Sequence, residues 1–262
     1  MRFSFIPAAM FLFLSQILYG NDEIPYFQVD MEGAAGAVIT REISHWIFSL
    51  PADRRPESFA VGIENKEKSK NSRTVFRIGK DLPASAQPFA AAGTVFAVSK
   101  KSPVGSLTLQ QAESILAGEL THWKDGDALT PVTICVFTSD PEDAATGEPI
   151  RKNKQHRLCF SDENLLVRYV SDSPDCLAIL PLIFFRDKTL KLLPVDNVMP
   201  SMKNVMNGTY PLASIYRFEA DKSYPPAVAA AENLISRTTA VKLMESGAVP
   251  LAAAREKKES TP

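Results

Sequence analysis

The sequence has little glycine and almost no net charge. Its 262 residues include 12 glycines, fewer than the roughly 7% of an average protein. Neither G-x-G-x-x-G nor G-x-x-x-x-G-K-[ST] occurs, which argues against the usual nucleotide-binding loops. The 29 basic and 30 acidic side chains nearly balance. The sequence therefore has no excess of positive charge that would indicate binding to nucleic acid. No G-x-S-x-G elbow accompanies the three histidines. We therefore expect neither an enzyme nor a cofactor.

Cysteine is scarce as well, with Cys135, Cys159 and Cys176 only. No C-x-x-C pair occurs, so zinc and thioredoxin-type redox sites lack their signature. An odd number of cysteines allows one bridge and a spare thiol, or no bridge at all. We predict no obligatory disulfide, because a chain of this length buries a sufficient core without one. Glu42 and His45 have the spacing of half a metal site, but no second Glu-x-x-His occurs, which predicts a surface pair and no metal.

The N-terminus has the pattern of a secretory signal. Arg2 precedes an apolar run that ends at Leu14, and Gly20 follows the polar pair Ser15-Gln16. This run is too short to span a bilayer, which needs about 20 apolar residues. We predict a signal peptide over 1–20 and a periplasmic or secreted chain that is not inserted in a membrane. No cysteine lies near Gly20, so no lipid anchor is expected.

Helical and strand-like segments alternate along the rest of the chain, which predicts an α/β fold. Thr108 and Gln111 have the spacing of a capping box, and Gly118 is placed to end that helix. The β-branched run 131–137 and the apolar run 176–180 predict strands. The alanine-rich segment 225–246 predicts one long helix whose core face includes Ile235 and Val241.

Three segments together resemble one family. They are Ser99–Trp123, which contains SPVGSLTLQQAESILAGELTHW, Asp196–Leu212, which contains DNVMPS and NVMNGTYPL, and Ser236–Leu251, which ends in ESGAVPL. This order is similar to that of the phosphate-type periplasmic substrate-binding proteins of ABC transporters. The resemblance covers roughly 89–252.

The resemblance implies a type II periplasmic binding protein-like fold with two lobes joined by hinge crossovers. Lobe one would hold 21–98 and 190–262, and lobe two 99–189. The first strand and the crossing near Val98 are closer in sequence than is usual in the family, which implies a reduced first lobe. The implied partners are a small oxyanion, phosphate by family default, and a membrane ABC permease. We expect a monomer.

In this family an oxyanion lies between the lobes, held by hydroxyls and by backbone N–H groups at helix starts. Helix starts favour anions because their N–H groups are unpaired and the helix dipole is positive there. Matching the loops to this pattern gives seven candidate ligand-binding residues: Gly33, Ala34, Ala35, Ser72, Arg73, Thr138 and Ser139.

Two loops depart from the family pattern. The turn Glu32–Gly36 has no hydroxyl, and the loop 138–147, which begins with Thr138 and Ser139, contains the acids Asp140, Glu142 and Asp143. Carboxylates repel an anion, so the sequence predicts weak or absent phosphate binding. The alternative is an interaction or sensor module on the same fold with no small-molecule ligand. Neighbouring permease and ATPase genes would favour transport over that alternative.

Overall fold

The structure is a computed structural model that describes residues 23–31, 33–62, 72–119, 122–125, 128–137, 157–185 and 189–251. The predicted signal peptide lies outside these residues. The described residues form twelve strands: β1 Ile24–Val29, β2 Ala60–Gly62, β3 Ser72–Gly79, β4 Gln87–Ser99, β5 His122–Asp125, β6 Ala128–Pro131, β7 Thr133–Phe137, β8 Arg157–Phe160, β9 Cys176–Pro181, β10 Leu190–Leu192, β11 Ala213–Ala220 and β12 Val249–Pro250. They also form six α-helices: α1 Gly33–Phe48, α2 Leu109–Ala117, α3 Glu163–Asp172, α4 Met202–Met206, α5 Pro225–Leu234 and α6 Arg237–Glu245.

The chain divides into two compact units. The first contains the described residues up to Gln87 together with 217–236, and the second contains 88–216 and the described residues from 237 on. The second unit includes β10 and β12 because both pair with β4, at Lys191↔Val98 and Val249↔Ala91. The lobe boundaries expected from the sequence, 98/99 and 189/190, differ from this division and stay a prediction.

The first unit is built on the strand order β2-β1-β3-β11. β1 is parallel to both β2 and β3, and β11 is antiparallel to β3. Helix α1 packs beside β1 and β2 and against α5. Its buried residues Ile39, Ile43 and Ile47 recur every four positions, so one face of the helix is apolar.

The boundary between the units falls inside β11, whose residues 213–216 belong to the second unit. The strand order of the second unit is β11-β4-β9-β7-β8. β7 is parallel to β8 and β9, whereas β4 is antiparallel to β9. Residues 176–180 of β9 are all buried, as expected of a central strand that is covered on both faces. The sequence predicted this strand correctly from its continuous apolar run.

Local capping signals in the sequence are confirmed. The Thr108 hydroxyl accepts from Gln111 N at 3.1 Å, and Thr108 N donates to Gln111 Oε1 at 2.8 Å. Gly118 ends α2 with a φ of 84°, a conformation that glycine adopts without strain. The resulting alternation of helices and strands confirms the α/β class.

The single helix predicted over 225–246 is wrong. The segment forms α5 and α6, separated at Ile235–Ser236, where Ser236 N donates to Asn233 O in a tighter turn. Ile235 and Val241, which the helical pattern placed in the core, are exposed. The pattern failed because each helix packs in a different unit and buries a different face. No helix among the described residues combines the length and apolar character that crossing a bilayer requires.

Replacing Tyr210 by phenylalanine is expected to raise the free energy of unfolding by about 1 kcal/mol. Tyr210 is 1% exposed, and its hydroxyl has no hydrogen-bond partner among the described residues. Removing a buried, unpaired hydroxyl removes its desolvation penalty. Urea unfolding measures the change, with Tyr169→Phe as the control because Tyr169 is 43% exposed. A clear loss of stability in Tyr210→Phe alone would show that the hydroxyl has a partner.

Candidate functional site

The start of α1 lies at the carboxyl ends of the parallel strands of the first unit. Asp30 directly follows β1, and its N donates to Ile78 O of β3 at 2.9 Å. The helix begins three residues later at Gly33. The first N–H groups of a helix have no partner within it, and ligands of α/β sheets bind at the carboxyl ends of the strands. The structure thus places Gly33, Ala34 and Ala35 in the first turn of α1, and their ligand-binding role stays a prediction.

The turn from β1 into α1 requires a glycine at position 36. A Cβ built on Gly36 would lie 1.7 Å from Met31 O. This separation is impossible for non-bonded atoms, so the helix backbone can approach Met31, in the segment between β1 and α1, only where the helix has no side chain. Gly36 therefore fixes the direction in which α1 leaves the sheet.

Backbone N–H groups are the donors that this helix start offers, because Gly33, Ala34 and Ala35 have no polar side-chain atom. A carboxylate lies at the same edge. Asp30 Oδ2 is 3.7 Å from the position that a Cβ on Gly79 would occupy, at the end of β3. The described part of the site therefore combines the positive end of a helix with one negative side chain.

Ser72 and Arg73 are not brought to this edge. They begin β3 and pair with Ile24 and Pro25 at the start of β1. Because β1 and β3 are parallel, their carboxyl ends lie together, five residues beyond Ile24 and seven beyond Ser72, which is about 17–23 Å at 3.3 Å per residue. The structure thus separates Ser72 and Arg73 from the start of α1. Their ligand-binding role stays a prediction, and their position in the sheet does not support it.

Arg73 instead has a partner within its own unit. Its guanidinium donates to the Asp221 carboxylate through Nη2. Asp221 also accepts from Ser223 N at 2.9 Å and from Ser223 Oγ at 2.6 Å. These contacts join the start of β3 to the turn between β11 and α5, so they give Arg73 a structural role.

Replacing Ser223 by alanine is expected to raise the pKa of the Asp221 carboxyl. In the folded chain that pKa lies below its ordinary value, chiefly because of the Ser223 hydrogen bonds and then because of Arg73. A lowered folded pKa stabilises the fold above the unfolded value of about 3.9, and the contribution is lost as pH falls through the folded pKa.

Carboxyl carbon NMR of Asp221 between pH 2 and 6 measures this effect. Ser49→Ala, which removes an exposed hydroxyl elsewhere in the first unit, is the control and should leave the Asp221 pKa unchanged. An unchanged pKa in Ser223→Ala would contradict the assignment of Ser223 as the main cause.

The remaining sequence candidates, Thr138 and Ser139, lie outside the described residues, as do the acids Asp140, Glu142 and Asp143. Their roles stay predictions.

One charged residue at the site was missed by the sequence analysis. Arg217 of β11 pairs with Gly79 of β3 and so reaches the same edge as Asp30. The omission arose because β11 was not predicted as a strand. Buried Tyr216 and Phe218 flank Arg217, and this alternation is a signal that could have identified the strand.

The cysteines are free thiols. Cys135 and Cys176 are buried on neighbouring parallel strands, where Cys176 pairs with Thr133 two residues before Cys135. A hydrogen bond between the two thiols, with burial, raises the pKa of Cys135, and the same contact lowers the pKa of Cys176. Burial keeps the Cys135 thiol away from solvent.

Glu42 is not the surface residue that the sequence predicted. It is 5% exposed, and its Oε1 lies 3.8 Å from Arg41 Nε. The prediction was wrong because position 42 faces inward on α1, next to buried Ile43. No cluster of potential metal ligands occurs among the described residues.

Comparison with models of protein families identifies the family of this chain. The model of the PBP superfamily domain matches residues 60–236, which is more than half of the sequence. The chain belongs to this family. The match includes β3, β4 and β11, and it confirms the periplasmic binding protein resemblance drawn from the sequence motifs.

One relative of this chain has a low sequence identity to it. The phosphate-binding protein PstS of Bacillus subtilis (strain 168) is 22% identical over 130 residues, which are 47% of this chain and 42% of that protein. The match therefore spans less than half the length of this relative.

Solved structures support the same fold. A possible phosphate binding protein from Planctomyces limnophilus DSM 3776 has a TM-score of 0.60 at 15% identity, covering 90% of this chain and 96% of that one. PstS from Borrelia burgdorferi has a TM-score of 0.53 at 14% identity, covering 87% and 99%. The chain has a type II periplasmic binding protein-like fold.

Proposed function

We propose that this chain is an exported solute-binding protein that captures a small oxyanion and delivers it to a membrane ABC permease. Membership of the PBP superfamily domain family supports this role, as do the phosphate-binding names of similar proteins. The signal-like N-terminus supports export to the periplasm or secretion. The proposal involves no catalysis.

The observation that carries the proposal is the start of α1 at the carboxyl ends of β1 and β3. The helix is 16 residues long, which is enough for its aligned peptide dipoles to favour an anion at the N-terminus. Gly33, Ala34 and Ala35 allow an oxyanion to approach the backbone N–H groups closely because their side chains are small or absent.

Phosphate binding at this start should be weak. A carboxylate about 4 Å from a unit anion opposes binding by at most roughly 4 kcal/mol at an effective dielectric constant of 20. Asp30 places a carboxylate at this edge and would oppose an anion held there. A missing hydroxyl donor to a charged ligand costs about 1.5–3 kcal/mol more. Since each 1.4 kcal/mol is tenfold in affinity, a micromolar site would become millimolar or weaker.

Calorimetry of the exported chain with phosphate, sulfate and molybdate at neutral pH tests this proposal. We expect at most millimolar affinity for phosphate and further weakening in Ala34→Asp, which adds a carboxylate at the helix start. Ala52→Asp adds the same charge at an exposed position beyond the other end of α1 and should have no effect. A sub-micromolar phosphate site would contradict the weakened site. No heat with any oxyanion would favour the interaction or sensor module.

A further inference from the structure

Arg217 and Asp30 lie on one face of the sheet in the first unit. Arg217 pairs directly with Gly79 across β11 and β3, and side chains of directly paired residues leave a sheet on the same side. A Cβ on Gly79 would point toward Asp30, 3.7 Å from both its Cβ and its Oδ2. A guanidinium and a carboxylate thus flank a residue that has no side chain.

One donor of the half-buried Arg217 side chain, Nε, lacks a partner among the described residues. This Nε atom is itself buried. Within the same residues, the ion pairs of the chain do not include Arg217 or Asp30. A buried donor without an acceptor costs free energy, so a bound ligand, ion or water that accepts from Arg217 Nε would account for this atom.

Arg217 can supply what the start of α1 lacks. A guanidinium donates parallel hydrogen bonds to two oxygens of a carboxylate, phosphate or phosphonate, and it stays charged at all physiological pH values. The helix start offers backbone N–H groups only, so Arg217 would be the side chain that fixes the orientation of an acidic group at this edge.

Asp30 then decides which acidic ligands fit. An anion that meets Arg217 comes close to the Asp30 carboxylate, which repels it. A ligand that also carries an ammonium group turns this repulsion into attraction, because the ammonium donates to Asp30 while the acidic oxygens accept from Arg217. Charge complementarity therefore favours a ligand with both charges over a simple oxyanion.

We propose that Arg217 and Asp30 form a two-charge subsite that selects a small zwitterion, with an acidic group on Arg217 and an amino group on Asp30. The inference rests on the proposed function, since it names the substrate class of the same site. Arg217 is the specificity-determining residue for the acidic group, and Asp30 is the one for the amino group.

Calorimetry with three probes tests the proposal on the exported chain. 2-Aminoethylphosphonate carries both charges, ethylphosphonate lacks only the amino group, and inorganic phosphate is the simple oxyanion. We expect 2-aminoethylphosphonate to bind at least tenfold more tightly than ethylphosphonate. Asp30→Asn should reduce that ratio to near one, and Arg217→Gln should weaken both phosphonates at least tenfold.

Arg168→Gln is the matched control, because Arg168 is an exposed arginine of α3 in the other unit. It should leave all three affinities unchanged. Arg217→Lys, which keeps the charge but loses the paired donors, should give intermediate affinities. It replaces Arg217→Gln in the experiment if Arg217→Gln does not fold. Circular dichroism and thermal unfolding identify a variant that fails to fold.

The outcomes separate this inference from the proposed function. If ethylphosphonate or phosphate binds as tightly as 2-aminoethylphosphonate, the zwitterion subsite is wrong while oxyanion capture stands. If Arg217→Gln folds and binds like the unchanged chain, Arg217 has no role in selection. Binding of none of the three probes would overturn both the inference and oxyanion capture.

Discussion

Replacing Gly36 by alanine is expected to lower the free energy of unfolding of the first unit by about 3 kcal/mol or more. The added Cβ would lie 1.7 Å from Met31 O, and a carbonyl oxygen of the main chain cannot rotate away as a side chain can. In an ordinary helix the same change is stabilising by up to about 1 kcal/mol, because alanine favours helix more than glycine. A decrease in the free energy of unfolding would therefore indicate the clash with Met31 O, and an increase would indicate that it is absent.

Gly105→Ala is the control for this prediction. A Cβ at Gly105 would meet no atom within 4 Å, so its stability should change little. Urea unfolding followed by circular dichroism compares the two variants with the unchanged chain. A Gly36→Ala variant as stable as the Gly105→Ala variant would show that α1 does not start against Met31, and the geometry of the candidate site would then be wrong.

The second large effect is expected at Gly93 in the second unit. A Cβ on Gly93 would lie 2.5 Å from Cγ2 of Val205, which is fully buried on α4. Gly93→Ala should therefore destabilise the chain by about 1–3 kcal/mol through overpacking. Val205→Ala alone should cost about 2 kcal/mol because it leaves a cavity.

The double variant distinguishes overpacking from a backbone effect. If the Gly93 methyl fills the space that the Val205 methyl groups leave, the double variant should be less destabilised than the sum of the single changes by at least about 1 kcal/mol. Chemical unfolding of all four chains gives this coupling free energy. Additive changes would mean that the two residues do not compete for the same space.

Signals that act within a few residues predicted the local structure well. The capping box of α2 and its C-terminal Gly118 depend on hydrogen bonds between neighbours in sequence, so the residue types alone indicate them. The apolar run of β9 was also recognisable from sequence alone, because a strand covered on both faces consists almost entirely of apolar residues. Three motifs in order also identified the fold family correctly.

Features that depend on distant pairing were not predicted. β3 and β11 form half of the first unit's strands, but the exposed Arg73 and Arg77 of β3 and the half-buried Arg217 and Glu219 of β11 hid the strand pattern. Arg73 was taken for a ligand residue because of its sequence neighbours, whereas the β1–β3 register places it away from α1 and beside Asp221. Arg217 was missed for the same reason, since only its pairing with Gly79 brings it to the site.

Amide hydrogen exchange at the start of α1 tests the central claim most directly. The amides at 33–35 have no partner within the helix, so they should exchange rapidly in the free chain. With inorganic phosphate well above its measured Kd, exchange there should slow, while the start of α5 should be unchanged. Unchanged exchange at 33–35 in a chain that binds phosphate, or protection at Ser72 and Arg73 instead, would contradict an anion site at this helix start.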